Sequence, residues 1–257
     1  MKTKTVLITG ASGGIGRELA YIFAQKKHHL VLVARSKDKL EQIAKECITQ
    51  YGIEATVFTH DLSDPKSAER LYQDVQQNGI SIDVLVNNAG FGQFGSFVKG
   101  DFAKTMEMIN LNVTTLVALT SLFVKEMVAR NQGQILNIAS TAAFQPVPNF
   151  AVYGATKAFV LNFTEALHYE LKDTKISVSA LCPGPTSTGF EQAADMEGSK
   201  LFERGVMDAK TVAQIGYKGL QKNKMTIVPG LKNQVLAFAS NMTPSRDLLV
   251  WVAGKMS

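Results

Sequence analysis

Thr5-Val6-Leu7-Ile8-Thr9-Gly10-Ala11-Ser12-Gly13-Gly14-Ile15-Gly16 is an apolar, β-prone run that leads into a glycine-rich turn, and a stretch of helical period, residues 17–25, follows directly. The order of these three pieces is what decides the fold. Glycines let the backbone turn sharply and come close to a pyrophosphate, whose charge is then held by the free N–H groups at the start of the helix. A glycine turn alone serves any tight strand-to-helix junction. Strand, turn and helix in this order point to a nucleotide site.

Outward from that turn, short apolar runs alternate with longer stretches of helical period. The runs centre on residues 6–8, 30–33, 56–58, 84–86, 135–138, 177–181 and 226–228, most of them apolar on both faces, as buried parallel strands are. They predict an α/β fold: a Rossmann-like, doubly wound, parallel seven-stranded sheet with helices on both faces, in a single domain over 1–257. Long helices are expected over 101–130 and 149–172. Right-handed crossovers with a reversal of strand order after the third strand open a ligand crevice at the carboxyl ends of the first and fourth strands.

Two segments stand outside the alternation. Residues 184–207, rich in Gly, Ser, Thr and charge, are expected to form a substrate lid. Residues 230–257 form a C-terminal helical extension interrupted at Pro244-Ser245. Its apolar run, 248–252, is far too short to cross a bilayer and is expected to be a packing or subunit-contact helix rather than a membrane-surface attachment.

Composition narrows the function classes. With 257 residues and 46% hydrophobic content the chain closes one core. Its 27 Lys and Arg against 22 Asp and Glu give a net +5, but the cations are scattered, and no nucleic-acid partner is expected. Cys47 and Cys182 are too few and too distant for a disulfide framework or a metal knuckle, so no metal site is expected. The N-terminus runs from Met1-Lys2-Thr3-Lys4 straight into the first strand without the features of a secretion signal. A cytoplasmic location follows, in which the Asn-x-Thr triplets at Asn112, Asn162 and Asn241 have no glycosylation meaning.

Tyr153-Gly154-Ala155-Thr156-Lys157 places a phenol and an ammonium four residues apart on one helix face, about 6 Å apart in axial rise. That spacing is common on helices. Ser140 gives it weight, because a hydroxyl at the end of the fifth strand can hydrogen-bond a carbonyl beside Tyr153. Thr141 is adjacent, but the end of the strand favours Ser140. A free phenol ionises near pH 10, and a fixed neighbouring cation, together with the positive ring of an oxidised nicotinamide dinucleotide, is expected to stabilise the phenolate.

Taken together, Thr9-Gly10-x-x-x-Gly14-x-Gly16, Asp61-Leu62, Asn87-Asn88-Ala89-Gly90, Ser140, Tyr153-x-x-x-Lys157 and Cys182-Pro183-Gly184-Pro185-Thr186-Ser187-Thr188 resemble the short-chain dehydrogenase/reductase family from Thr5 to about Thr188. The resemblance implies that Gly10, Ser12, Gly14, Ile15 and Gly16 cradle a dinucleotide. It further implies that Asp61 and Leu62 hold the adenine, and that Asn88, Ala89 and Gly90 support sheet and nucleotide. Pro183, Gly184, Thr186 and Thr188 would orient the nicotinamide, with Tyr153 and Lys157 also at the cofactor. Ser140, Tyr153, Lys157 and an asparagine would be catalytic. Asn112 is preferred to Asn110 for that asparagine because it lies seven residues before Leu119-Thr120. Thr186 stands where the family more often has Val or Ile.

Arg35 occupies the position where NAD-specific members hold an acid, and a guanidinium can bind a 2′-phosphate bidentately. The expected cofactor is therefore NADP(H) rather than NAD(H), with Lys37 and Lys39 adding to the field. Gly13 departs from the basic residue that many NADP-preferring members carry. The resemblance implies an oxidoreductase interconverting a carbonyl compound and a secondary alcohol, with Tyr153 as general acid/base, reprotonated by way of the ribose hydroxyl, Lys157 and a water near Asn112. A non-catalytic NADP(H) sensor on the same fold is the alternative, although such relatives usually lose the tyrosine or lysine. Sugar-nucleotide epimerases need a second substrate domain, for which no residues are left. Phe91, Phe94, Phe97, Phe190, Met196, Leu201 and Phe202 suggest an apolar or bulky small-molecule substrate. A homodimer or homotetramer built on the two long helices, with no membrane span, completes the expectation.

Overall fold

A computed structural model describes residues 3–190 and 206–256. Strand β1 (Thr5–Thr9) leads into α1 (Gly14–Gln25), β2 (His29–Ala34), α2 (Lys37–Tyr51), β3 (Ala55–Thr59), α3 (Ser67–Gln77) and β4 (Val84–Asn87). After a loop come α4 (Phe102–Ile109), a π turn (Asn110–Thr115), α5 (Leu116–Arg130), β5 (Gly133–Ile138), α6 (Ala151–Glu170) and β6 (Ile176–Leu181). The chain closes with β7 (Thr186–Ser187), β8 (Met207–Asp208), α7 (Ala209–Gln221), β9 (Thr226–Ile227), α8 (Leu231–Met242) and α9 (Arg246–Met256).

All seven expected strands form one parallel sheet in the order β3-β2-β1-β4-β5-β6-β9. The order reverses between β1 and β4, which sets the crevice where the glycine turn lies. Alternate side chains of each strand feed two separate cores. Val6, Ile8 and Leu32 pack with Leu19, Phe23, Leu40, Val212 and Leu220 of α1, α2 and α7. Leu7, Leu85 and Ile135 pack with Leu71, Val75, Phe123 and Met127 of α3 and α5. Both faces of the sheet are therefore dry, which is why its strands read as continuous apolar runs.

Three elements differ from the sequence-based boundaries. The expected helix over 101–130 starts at an Asp101 cap, whose Oδ1 accepts from the Ala103 N–H at 2.8 Å, and is then interrupted by the π turn at Asn110–Thr115. The run Phe102–Arg130 is long and apolar enough to cross a membrane by length and composition, and here its Met108, Leu116, Leu119, Phe123 and Met127 are buried in the fold. Helix α6 starts at Ala151, not at Asn149, because Asn149 adopts a left-handed φ of 59° that no helix continues through. The last strand stops at Ile227.

Candidate active site

The glycine turn sets the site's floor. Gly10 has φ of 65° and Gly14 φ of 53°, backbone that side-chain-bearing residues rarely adopt. Gly16 is needed for closeness: a Cβ there would lie 2.5 Å from the Gly10 carbonyl oxygen and 2.5 Å from Asn88 Nδ2. Helix α1 is capped by Gly13, has no side-chain cap bond and carries no acid in its first turn, so its leading N–H groups are left for an outside anion. A cleft of about 420 Å³ opens there between Ser12, Gly13, Gly14, Lys39 and Thr188. These features fit a dinucleotide diphosphate. Gly16→Ala is expected to lower the melting temperature by several degrees and to remove any further rise that NADPH produces in the wild type, both read in a thermal-shift titration. An unchanged NADPH response would show that the turn does not carry the diphosphate.

Thr9 and Asn88 lock the turn to β4. The Thr9 hydroxyl accepts from the N–H groups of Asn88 and Ala89, each at 3.0 Å, while Asn88 Nδ2 donates to the carbonyls of Thr9 at 2.9 Å and Gly10 at 3.2 Å. After β3, the Asp61 carboxylate accepts from the Ser63 hydroxyl at 2.7 Å and its N–H at 3.0 Å. Those bonds from Ser63, with a smaller contribution from the nearby Arg35 guanidinium, hold Asp61 below the usual carboxylate range. Arg35 itself is exposed, just past the end of β2. Leu62 is buried, and its carbonyl accepts from the Thr115 hydroxyl at 2.7 Å. Of the two lysines expected to reinforce Arg35, Lys39 lines the cleft, whereas Lys37 pairs with Glu41 at 3.6 Å.

Ser140, Tyr153, Lys157 and Asn112 come together and all are buried. Ser140 follows β5; its Oγ accepts from the Ala142 N–H at 3.1 Å and lies 3.5 Å from the Pro183 carbonyl. Burial pushes the Tyr153 phenol up to about 12, and its hydrogen bond with Ser140 only partly opposes that. Burial also lowers Lys157 to about 8, with the Cys182 thiol beside it acting the other way. Lys157 Nζ donates to the Ile138 carbonyl at 2.8 Å and stands 5.7 Å from the centre of the Tyr153 ring. In the protein without a dinucleotide, desolvation therefore dominates the phenol.

The π turn is what aims Asn112. Its Oδ1 accepts from the Phe91 N–H at 3.1 Å, and its Nδ2 donates to the Phe91 carbonyl at 2.9 Å and to the Thr156 hydroxyl at 3.1 Å. The Thr156 hydroxyl in turn donates to the Tyr153 carbonyl at 2.7 Å. The loop after β4 is thereby clamped to α6 directly under the tyrosine.

Pro183, Gly184, Thr186 and Thr188 cross above the sheet edge. The Pro183 carbonyl also accepts from the Thr141 N–H at 2.9 Å. The Thr186 hydroxyl donates to the Gly184 carbonyl at 2.8 Å, and the Thr188 side chain lies against Gly14. β7 and β8 pair in parallel through Thr186 with Met207 and Ser187 with Asp208, tying together the two ends of the expected lid. Phe150 stacks on Tyr153 with centroids 4.2 Å apart and an interplanar angle of 22°. Phe190 approaches Tyr153 at 5.4 Å, and Phe94 meets Phe150 edge-on at 6.0 Å. Phe91, Met108 and Val147 join this apolar cluster. Phe97, expected to line the pocket, is instead 69% exposed, and Met196, Leu201 and Phe202 lie outside the described residues. Sequence reading missed the contributions of Phe150, Thr156 and Thr115; a hydroxyl just before the lysine was the one visible signal, for Thr156.

A parallel sheet wound this way, with a phosphate cradle beside a buried serine, tyrosine and lysine, defines a dinucleotide-binding α/β protein. Residues 4–197 match the family model described as short chain dehydrogenase. Over 255 residues the chain is 33% identical to a ketoacyl reductase, HetN, of Nostoc sp., covering 99% of this chain and 85% of that protein. A short-chain dehydrogenase from Sphingobium yanoikuyae, solved with NADPH, superposes with a TM-score of 0.84 at 32% identity, covering 92% of this chain and 93% of that one. A family member from Burkholderia phymatum, solved with NAD, shares the fold with a TM-score of 0.82 at 23% identity over 92% of each chain. The chain belongs to the short-chain dehydrogenase/reductase family and is an oxidoreductase.

Proposed function

We propose that this protein is an NADP(H)-dependent carbonyl reductase, interconverting a bulky, apolar carbonyl compound and its secondary alcohol, with Tyr153 as general acid/base. The observation that carries this reading is the buried contact of Ser140 with Tyr153, with Lys157 beside it and the glycine cradle at the same sheet edge. When bound, the dinucleotide supplies the hydride. Ser140 holds the substrate oxygen by its hydroxyl, and Tyr153 gives that oxygen its proton as the carbonyl carbon is reduced. A phenol held up to about 12 keeps its proton at neutral pH, as a donor requires. Lys157 orients the site by its bond to Ile138 and supplies positive charge, while Asn112 and Thr156 hold the loop that flanks it.

Arg35 and Lys39 support a preference for the 2′-phosphorylated cofactor, as does the NADPH carried by the Sphingobium structure. The ring cluster around Tyr153 supports an apolar substrate. Residues 184–207 would close over it as a lid, and α5 and α6 would form the contact of a homodimer or homotetramer without a membrane span. The decisive experiment is a panel of aromatic, alicyclic and acyl ketones assayed with NADPH and NADH in parallel. Turnover of bulky ketones with NADPH is expected; tight NADPH binding without turnover of any of them would refute the enzyme reading.

The lowered lysine gives this reading a pH signature. kcat/KM for NADPH, which reports the free protein, is expected to stay level to about pH 8 and then fall by about tenfold per unit as Lys157 loses its charge. Unfolding does not mimic that fall. Between about 8 and the ordinary lysine value of 10.5 the unfolded chain binds more protons than the folded one, so this group makes stability rise with pH there. A profile level through pH 9.5 would remove Lys157 as the charged partner.

A further inference from the structure

The C-terminal extension leaves most of its apolar side chains in solvent. In α8, Leu231, Val235, Phe238 and Met242 are 77, 58, 67 and 66% exposed, and their spacing of four, three and four residues places them on one helix face. In α9, Leu248, Trp251 and Val252 share a face that ends at Lys255, whose ammonium sits 4.0 Å over the Trp251 ring. What these helices do bury is small. Ala237, Leu249 and Ala253 are turned inward, Ser240 donates to Gln145 at 3.0 Å, and Gly254 lies against Pro148. Gln145 and Pro148 belong to the segment that runs into Phe150 and Tyr153, so the extension sits beside the entrance to the site.

Charge says what covers this face. Over residues 229–257 the side chains Lys232, Arg246 and Lys255 stand against Asp247 alone. A contact between two copies of this segment would bring two net-positive surfaces together. An anionic bilayer attracts them, accepts a row of Leu, Val, Phe and Met at its acyl boundary and favours Trp beside Lys at headgroup level. We infer that α8 and α9 dock this protein on an anionic lipid surface, with the mouth of the active site turned towards it. The sequence pattern by itself favours a packing or subunit-contact helix; the exposed face and its charge favour the lipid surface.

The test is flotation of the full chain with large vesicles of phosphatidylcholine alone or with about a third phosphatidylglycerol. Co-flotation with the anionic vesicles, weakened by salt, is expected. The double variant Phe238→Glu, Trp251→Glu should lower partitioning at least tenfold with an unchanged melting temperature, since both side chains are already in solvent. Lys232→Gln and Lys255→Gln should each lower it by about fivefold. Protein left at the bottom with both vesicles, equal binding to both, or binding indifferent to these variants overturns the inference. So does a light-scattering mass that halves in the double variant, which would assign the face to a second copy.

Discussion

Tyr153→Phe is expected to lower kcat for carbonyl reduction by about 10³-fold while leaving the Kd for NADPH within about threefold of wild type. The replacement removes one hydroxyl and little else. Phenylalanine keeps the stack on Phe150, 4.2 Å away, and the contact with Phe190, so the fold around it should persist. On the proposed mechanism, what is lost is the proton for the substrate oxygen beside Ser140. Steady-state rates together with a fluorescence titration of NADPH separate the two effects. A variant that turned over at the wild-type rate would show that some other group protonates the product.

Arg35→Asp is expected to raise the KM for NADPH by about a hundredfold and to move the NADPH/NADH ratio of kcat/KM by a similar factor. The side chain stands at the exposed end of β2, close enough to Asp61 to help hold that carboxyl down. A carboxylate there adds a second negative charge beside Asp61, and the two together repel a 2′-phosphate while accepting ribose hydroxyls. Initial rates with both dinucleotides decide it. An unchanged ratio would mean that Arg35 does not face the cofactor.

The sheet and its cradle were readable because their causes are local. Val6, Leu7 and Ile8 are apolar on both faces of one strand, and Gly10 and Gly14 meet a need of their own backbone, whereas Gly16 answers to the crowding of the Gly10 carbonyl and Asn88. The candidate residues Ser140, Tyr153, Lys157 and Asn112 could be named but not their environment. Burial lifts Tyr153 to about 12 and draws Lys157 down to about 8, and burial is a property of the packed chain, not of a four-residue spacing. The π turn at Asn110–Thr115 is invisible for a related reason: shifting the hydrogen bonds by one residue leaves the apolar periodicity of 101–130 nearly intact. Phe97 went the wrong way because an aromatic residue near a site carries no sign of which way it faces. The Phe150 stack joins rings whose meeting depends on Asn149 breaking the helix first.

That turn holds one residue more than regular winding needs. Deleting Asn110 or Leu111 would let the two flanking helices fuse into an uninterrupted rod, with no loss of backbone ladder. The rod, however, would carry residue 112 about 100° around its axis relative to α6, beyond the reach of Phe91 and Thr156. Shortening by one amino acid, which surface loops usually absorb, would here release the loop after β4 from α6.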